Sequence, residues 1–269
     1  MSSLAGPIDI AYADVRTLLT PASGFLRGYD FTLNPYSGCA FGCDYCYAAS
    51  FAGTRRLSDT WGRWVLVKQN ALALLRTHRG RLCDKTIYMS SVTDPYQPVE
   101  ARLGLVRALL AELAHDQPRL VIQTRSPLVT RDIDVLRRFD TVQVNMTVTT
   151  DSEAVRRAFE PTCPPNDRRI AAIGEVARAG IRVAITMTPL LPVVDPAAFG
   201  RSLAETGAQT FVVQPLHPRR GRFAAGTRET ARDARDAWPW DQDAYHAAVT
   251  VLREHLPGLH EGREGFSPV

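Results

Sequence analysis

The chain has 269 residues, of which 45% are hydrophobic and 22% charged, and a net charge of +4. This is ordinary soluble globular composition, enough for one large α/β domain or two small ones. No apolar run approaches the roughly 20 residues of a membrane-spanning helix. The N-terminus lacks the charged start and apolar stretch of a signal peptide, and an odd number of cysteines argues against a disulfide framework.

The expectation is a cytoplasmic monomer in a reducing compartment, with no membrane attachment. Lys68 and Lys85 are the only lysines among 32 basic residues. Such uniform use of arginine reads as codon bias rather than as an anion-binding surface.

Taken in order, residues 1–30 read as an irregular leader packing on the core, broken at Thr20-Pro21 and Ser23-Gly24. Strand-like runs follow at Phe31–Tyr36, Thr86–Ser90, Leu120–Thr124, Thr141–Thr149, Ile181–Met187 and Thr210–Gln214. Between them lie helical patterns. Leu103, Val106, Leu109, Leu110 and Leu113 recur at intervals of three and four. Asp132, Ile133, Val135 and Leu136 suit a short helix. Ile170, Ile173, Val176 and Ala177 mark another, capped by Gly180. Residues 217–243 read as a surface excursion, and 243–256 as a last helix with Tyr245, Val249 and Leu252 on one face.

Six strands separated by helices imply a mainly parallel α/β sheet with right-handed crossovers. An open doubly wound sheet and a partial (β/α) barrel both fit. In either, chemistry belongs at the C-terminal ends of the strands.

The most informative stretch is Asn34-Pro35-Tyr36-Ser37-Gly38-Cys39-Ala40-Phe41-Gly42-Cys43-Asp44-Tyr45-Cys46-Tyr47. Its spacing is C-x3-C-x2-C, directly after the first strand. Three thiolates on one tight loop can hold three corners of a cubane iron–sulfur cluster. The missing fourth cysteine leaves one iron open. Gly38 and Gly42 let the backbone curl round the cluster, and Phe41, Tyr45 and Tyr47 screen it. A structural zinc site wants four ligands, and no second C-x2-C or H-x3-H pair is present. A thioredoxin-like Cys43–Cys46 pair would leave Cys39 unexplained. The cluster reading leads and zinc is the alternative.

C-x3-C-x-aromatic-C after the first strand resembles the signature of the radical S-adenosylmethionine (SAM) superfamily. Asn34–Cys39, Thr93-Asp94-Pro95-Tyr96-Gln97-Pro98-Val99-Glu100, Thr124-Arg125-Ser126, Arg131-Asp132-Ile133 and Phe159-Glu160-Pro161 resemble its spore photolyase-like branch. The resemblance spans roughly residues 20–218 and implies a partial (β/α)6 barrel. The implied organisation is a leader at 1–30, a radical SAM core at 31–218 and an extension at 219–269 closing the barrel, all in one structural domain. The implied cofactors are a [4Fe–4S] cluster on Cys39, Cys43 and Cys46 and SAM on the open iron. The implied chemistry is reductive cleavage of SAM to a 5′-deoxyadenosyl radical that abstracts hydrogen. The electron partner would be a small reductant protein such as a flavodoxin or ferredoxin.

Tyr45 is implied beside the cofactor. Ser91, Thr93 and Asp94 stand where the superfamily grips the SAM amino group, although Asp94-Pro95 is also an ordinary helix cap. Arg125 could pair with the SAM carboxylate. Asn145 and Thr147, polar in an apolar strand, could meet ribose hydroxyls, and Gln214 follows the same logic. Glu100 and Glu160 suit ion pairs with Arg102 or Arg157.

Spore photolyases carry a hydrogen-donating cysteine where this chain has Ser91, so thymine-dimer repair is not expected. Cys163, in the turn Pro161-Thr162-Cys163-Pro164-Pro165, is the candidate donor, with an inert cysteine as the simpler reading. His217 reads as a solvated loop residue. The basic run Arg219-Arg220-Gly221-Arg222 admits a nucleic-acid substrate. The competing functions are a zinc- or cluster-stabilised nucleic-acid-binding protein without catalysis and a simple electron-transfer protein.

Overall fold

A computed structural model describes residues 7–216 and 236–269. His217 and the basic run at 219–222 lie outside the described residues, as does most of the expected surface excursion.

The strands are β1 (Asp9–Ala13), β2 (Leu19–Pro21), β3 (Phe31–Leu33), β4 (Tyr36–Ser37), β5 (Trp64–Lys68), β6 (Thr86–Met89), β7 (Arg119–Thr124), β8 (Val142–Thr147), β9 (Arg182–Leu190), β10 (Thr210–Pro215) and β11 (Leu259–Glu261). Strands β3, β6, β7, β8, β9 and β10 lie side by side in that order, each parallel to the next. They correspond to the six strands expected from the sequence and form a partial barrel, which decides against the open doubly wound alternative. β11 adds a parallel strand beyond β10, and β2 an antiparallel one beyond β3.

Period-2 alternation sorts the strand residues. Val142, Val144 and Met146 of β8 join the main apolar core, which also takes Val106, Leu109, Leu110 and Leu113 from the helix Leu105–Leu113. Gln143, Asn145 and Thr147 alternate with them on the other face of the strand. All six residues are buried, which explains why so few charges occur in these segments.

The expected helices form with shifted ends. The first is cut in two, Glu100–Leu103 and Leu105–Leu113, at Gly104 with φ +62°. The second runs Asn166–Arg178 and the last Gln242–His255. The short helix at Ile133–Leu136 continues a 3-10 turn at Pro127–Asp132.

The main departures lie in the N-terminal third. The leader, expected to be irregular, contributes β1 and β2. β1 pairs with β5, and β5 with β4, in a second sheet of three strands. The partners of β1 stand more than fifty residues away, and its own sequence, Asp-Ile-Ala-Tyr-Ala, is largely exposed, so no local periodicity marks it. The run Phe31–Tyr36 is broken at Asn34-Pro35, which sends Tyr36 and Ser37 into the second sheet. At the other end of the chain, Phe266 packs on Phe25 and Tyr88, and Ser267 O accepts from Tyr29 OH.

Candidate functional site

The cysteine loop leaves β4 and folds over the C-terminal ends of the barrel strands. Gly38 has φ +75° and Gly42 φ +54°, a region that favours glycine. Both are also sterically closed. A Cβ at Gly38 would lie 2.5 Å from the Trp64 ring and carbonyl, and one at Gly42 would lie 2.8 Å from Gly62 Cα. Gly42 N–H donates to Cys39 O at 3.2 Å and Cys46 N–H to Cys43 O at 3.1 Å, giving two tight turns between the thiols. Cys39, Cys43 and Cys163 share a separate apolar cluster with Phe41, Tyr45, Trp61 and Phe159, and Cys46 packs at its edge. The thiols thus have their own dry shell, distinct from the main core.

Six hydrogen bonds tie this loop to the segment after β6. Asn34 Oδ1 accepts from Ser91 N–H at 2.9 Å and Val92 N–H at 3.1 Å, while its amide donates to Ser91 Oγ at 3.3 Å. Thr93 Oγ1 donates to Gly38 O at 2.6 Å. Ala40 N–H donates to Gln97 Oε1 at 2.8 Å. Tyr47 OH donates to Ser91 O. Ser91 and Thr93 therefore position the cysteine loop. Asn34 and Gln97, which do half of this work, sit in the resembled motifs but carry no charge or thiol to single them out.

Asp94 is buried with both carboxylate oxygens engaged. Oδ1 accepts from Tyr96 N–H at 2.9 Å and Thr124 Oγ1 at 2.7 Å, and Oδ2 from Arg125 N–H at 2.9 Å. The Tyr96 contact closes a local turn and is not the helix cap weighed for Asp94-Pro95, because the next helix begins at Glu100 behind Val99. Burial raises the Asp94 pKa above the usual carboxylate value against these bonds, which pull it down.

Arg125 Nη1 reaches Tyr45 OH at 2.8 Å and Glu160 Oε1 at 2.9 Å. Glu160 is fully buried. It also accepts from Tyr45 OH and from Thr149 Oγ1 at 3.0 Å, and pairs with the fully buried Arg169 at 2.6 Å. Burial alone would raise its pKa, but Arg169 first, then Arg125 and the Tyr45 hydroxyl, hold it at about 2. The partners expected for the two glutamates are corrected by the fold. Glu160 pairs with Arg125 and Arg169, and Glu100 with Arg131 at 2.7 Å. Arg157 instead meets Glu153 on its own helix at 3.3 Å. Sequence neighbours pointed to the wrong arginines because the true partners come from other elements: Arg125 follows β7, Arg131 lies in the 3-10 turn and Arg169 on the helix Asn166–Arg178.

Deeper in the barrel, Asn145 and Thr147 join one polar ladder through Gln123. Asn145 donates to Gln123 Oε1 at 3.3 Å, and Gln123 donates to Thr147 Oγ1 at 2.8 Å and Thr186 Oγ1 at 2.9 Å. Tyr88 OH closes the ladder on Gln123 Oε1 at 2.8 Å. Gln123, missed in the sequence, is its hub. Gln214 is half-buried near the end of β10. Cys83 is exposed before β6, away from the loop, whereas Cys163 is buried with its sulfur 3.5 Å from that of Cys43. The site thus gathers Cys39, Cys43, Cys46, Cys163, Tyr45, Ser91, Thr93, Asp94 and Arg125, with Asn145 and Thr147 linked to each other below.

The thiols differ electrically. Burial pushes Cys39 well up, and nearby Asp94, Cys43 and Cys46 push it further. Burial also raises Cys43, but the Cys163 hydrogen bond and the Arg125 and Arg169 charges outweigh it, leaving that thiol below its ordinary value. Acidic groups crowded into an apolar shell are the condition that a bound cationic centre relieves, and soft thiolates suit iron or zinc. Among the described residues, no three His, Cys, Asp or Glu side chains converge on a single ion. A cubane does not ask for that, since each thiolate holds its own iron. The three-thiol set is compatible with a cluster of this kind.

A parallel partial barrel with a cysteine loop over its mouth defines a class of cofactor-dependent α/β enzyme. The family model described as the Radical SAM superfamily matches residues 33–204, and the chain belongs to that superfamily. An uncharacterized protein of Methanocaldococcus jannaschii is 33% identical over 169 residues, covering 62% of this chain and 62% of that protein. One from Acidianus two-tailed virus is 29% identical over 209 residues, covering 70% and 68%. One from Mycobacterium tuberculosis is 28% identical over 174 residues, covering 61% and 50%. The chain thus spans from half to about two thirds of the length of these relatives.

Among solved structures, spore photoproduct lyase complexed with dinucleoside spore photoproduct superposes with a TM-score of 0.65 at 14% identity, over 94% of this chain and 81% of that one. Streptococcus suis SuiB bound to S-adenosylmethionine gives 0.51 at 10% identity, over 95% and 50%. These are likenesses of fold. No helix among the described residues is long and apolar enough to cross a membrane.

Proposed function

We propose that the protein is a radical SAM enzyme whose Cys39, Cys43 and Cys46 would hold a [4Fe–4S] cluster with one iron left to SAM. The observation that carries this reading is the cysteine loop in a member of this superfamily: three thiols on two tight turns, inside their own apolar shell, at the mouth of the barrel. When bound, the cluster and SAM supply reductive cleavage to methionine and a 5′-deoxyadenosyl radical for hydrogen abstraction.

The chain's own residues prepare the site. Phe41, Tyr45, Trp61 and Phe159 exclude water from the thiols. Tyr45 and Glu160 engage Nη1 of Arg125, so the remaining guanidinium N–H groups are those offered to the SAM carboxylate. Ser91 and Thr93 hold the loop in register, and the Thr93 or Ser91 hydroxyl would accept from the SAM amino group. Asp94 acts by fixing Thr124 and the Arg125 backbone. Asn145, Thr147 and Gln214 are assigned to the nucleoside side of SAM. The proposed organisation is a leader at 1–30 packing on the core, a core at 31–218 and an extension at 219–269 closing the barrel, of which residues 236–269 are among those described.

The electron would come from a small flavodoxin- or ferredoxin-like protein in the cytoplasm. The substrate class to screen first is nucleic acid, since the spore photoproduct lyase fold holds a dinucleoside photoproduct. Anaerobic reconstitution with iron and sulfide tests the core of this proposal. The expected result is a brown protein with about four irons that converts SAM to 5′-deoxyadenosine under reductant. Stoichiometric zinc with no nucleoside product would instead favour a non-catalytic binding protein. An iron–sulfur protein indifferent to SAM would favour a simple electron carrier.

A further inference from the structure

Cys163 is not part of the three-thiol loop, yet the fold carries it there. It sits in the turn after the helix Glu153–Phe159, and its Sγ lies 3.5 Å from Cys43 Sγ, with both residues buried. The turn is bound to the loop at several points. Thr162 Oγ1 donates to Ala40 O at 2.9 Å and Phe41 O at 2.7 Å. Asp44 N–H donates to Phe159 O at 2.9 Å. Arg156 Nη1, itself buried, bridges Glu160 O and Cys163 O at 2.8 Å each. Cys163 N–H closes the turn on Glu160 O at 3.1 Å. The sulfur–sulfur contact is therefore built by backbone anchoring on both sides.

A cysteine bound to iron has given up its proton. If Cys43 is a ligand, as read above, Cys163 is the one member of the pair with a hydrogen to give. Phe41 O, at 3.7 Å from Cys163 Sγ, is the other acceptor in reach, and an anionic sulfur at 3.5 Å attracts the proton more strongly.

We infer that Cys163 is a positioning residue that donates an S–H···S hydrogen bond to the Cys43 sulfur and so raises the reduction potential of the cluster held there. The direction follows from charge. Reduction adds an electron to the cluster, and a donor on a ligand sulfur stabilises the more negative state. This role differs from that of a substrate hydrogen donor, and the burial of Cys163 suits it.

The inference rests on the cluster reading of the preceding section, and its test separates the two. Wild-type, C163S and C163A proteins are reconstituted anaerobically, assayed for iron, and titrated by redox potentiometry with electron paramagnetic resonance detection. C163A should keep its iron but show a reduced-to-oxidised ratio about tenfold lower at a fixed potential, which is about 59 mV for a one-electron couple. C163S, which keeps a donor, should stay within about threefold of wild type. Independently, the S–H stretching frequency of Cys163, assigned by its loss in C163S, should fall when the protein takes up the cluster.

Full iron with an unchanged potential in C163A, a serine variant that falls as far as alanine, or an S–H frequency indifferent to loading would overturn the inference alone. Loss of one iron per cluster in folded C163A would make Cys163 a ligand and overturn it as well. A wild-type protein that takes up no cluster would remove both readings together. If C163A does not fold, the infrared shift and the serine titration decide.

Discussion

Two buried glutamates do related work in different parts of this molecule. Glu100 and Glu160 are both fully buried, and each accepts a tyrosine hydroxyl and pairs with arginine. Tyr36, at the root of the cysteine loop, is held by Glu100. Tyr45, between the last two cysteines, is held by Glu160. Around Glu100 the charges run outward. Arg131 also pairs with Asp132, and Asp132 with Arg107, which reaches the exposed Asp134. That network has three carboxylates to two guanidiniums and ends in solvent. Glu160 instead stands between two arginines, Arg169 at 0% and Arg125 at 16% side-chain exposure. The excess there is positive and lies beside Cys43. One clamp anchors the loop; the other also sets the charge that the thiols meet.

The largest way to break the comparison is at the loop itself. Cys43→Ala should abolish both cluster uptake and 5′-deoxyadenosine formation, measured by iron content and product analysis, whereas Tyr36→Phe should retain both. Full turnover in the alanine variant would remove the cluster assignment.

Next in size is a pair of charge-neutral variants. Glu160→Gln leaves two buried guanidiniums without their carboxylate and should cost about 3–5 kcal/mol of unfolding free energy. Glu100→Gln leaves Arg131, which is partly exposed and keeps Asp132, so its cost should be nearer about 1–3 kcal/mol. Urea denaturation of the two variants side by side measures the gap, and equal costs would erase the distinction drawn here.

Acid sharpens the same point. Although burial raises it, the Arg169 and Arg125 charges hold the Glu160 pKa down at about 2, below the ordinary glutamate value of 4.5. The stability it contributes is therefore complete above about pH 4.5 and is lost as pH falls toward 2. In Glu160→Gln the stability profile over that interval should be flatter than in the wild-type protein. A profile of unchanged slope would mean that Glu160 is not ionised in the folded state.

The smallest expected effect is at Gly38. A methyl group there meets the Trp64 ring and carbonyl at 2.5 Å on a backbone with φ +75°, and Gly38→Ala should lower stability by about 1–3 kcal/mol. Because Gly38 O also takes the Thr93 hydroxyl, cluster retention should fall as well. A variant as stable and as iron-rich as the wild type would show that the loop can yield without cost.

The six barrel strands were legible in the sequence because they are short apolar or β-branched runs between helical patterns, and burial of most of their residues leaves that trace. The cysteine spacing was legible because the three thiols lie within eight residues of chain. β1 left no such trace, being largely exposed and defined by pairing across more than fifty residues. Asn34 and Gln97 stood in the quoted motifs without a role of their own, and Gln123, polar in an apolar strand as Asn145 is, was missed; their roles appear only with their partners. Glu160 was noticed and given the wrong arginine, since Arg157 is near in sequence while Arg125 and Arg169 are near in space.

By itself, then, the amino-acid order determined the alternation of strands and helices and the three-cysteine spacing, since both are written in residues close together in the chain. Tertiary structure decided which groups surround those thiols: the arginine pair on Glu160, the polar ladder on Gln123, and the placing of Cys163 against Cys43. These groups come from separate strand ends and turns, and only closure of the barrel sets the distances on which their electrostatic coupling depends.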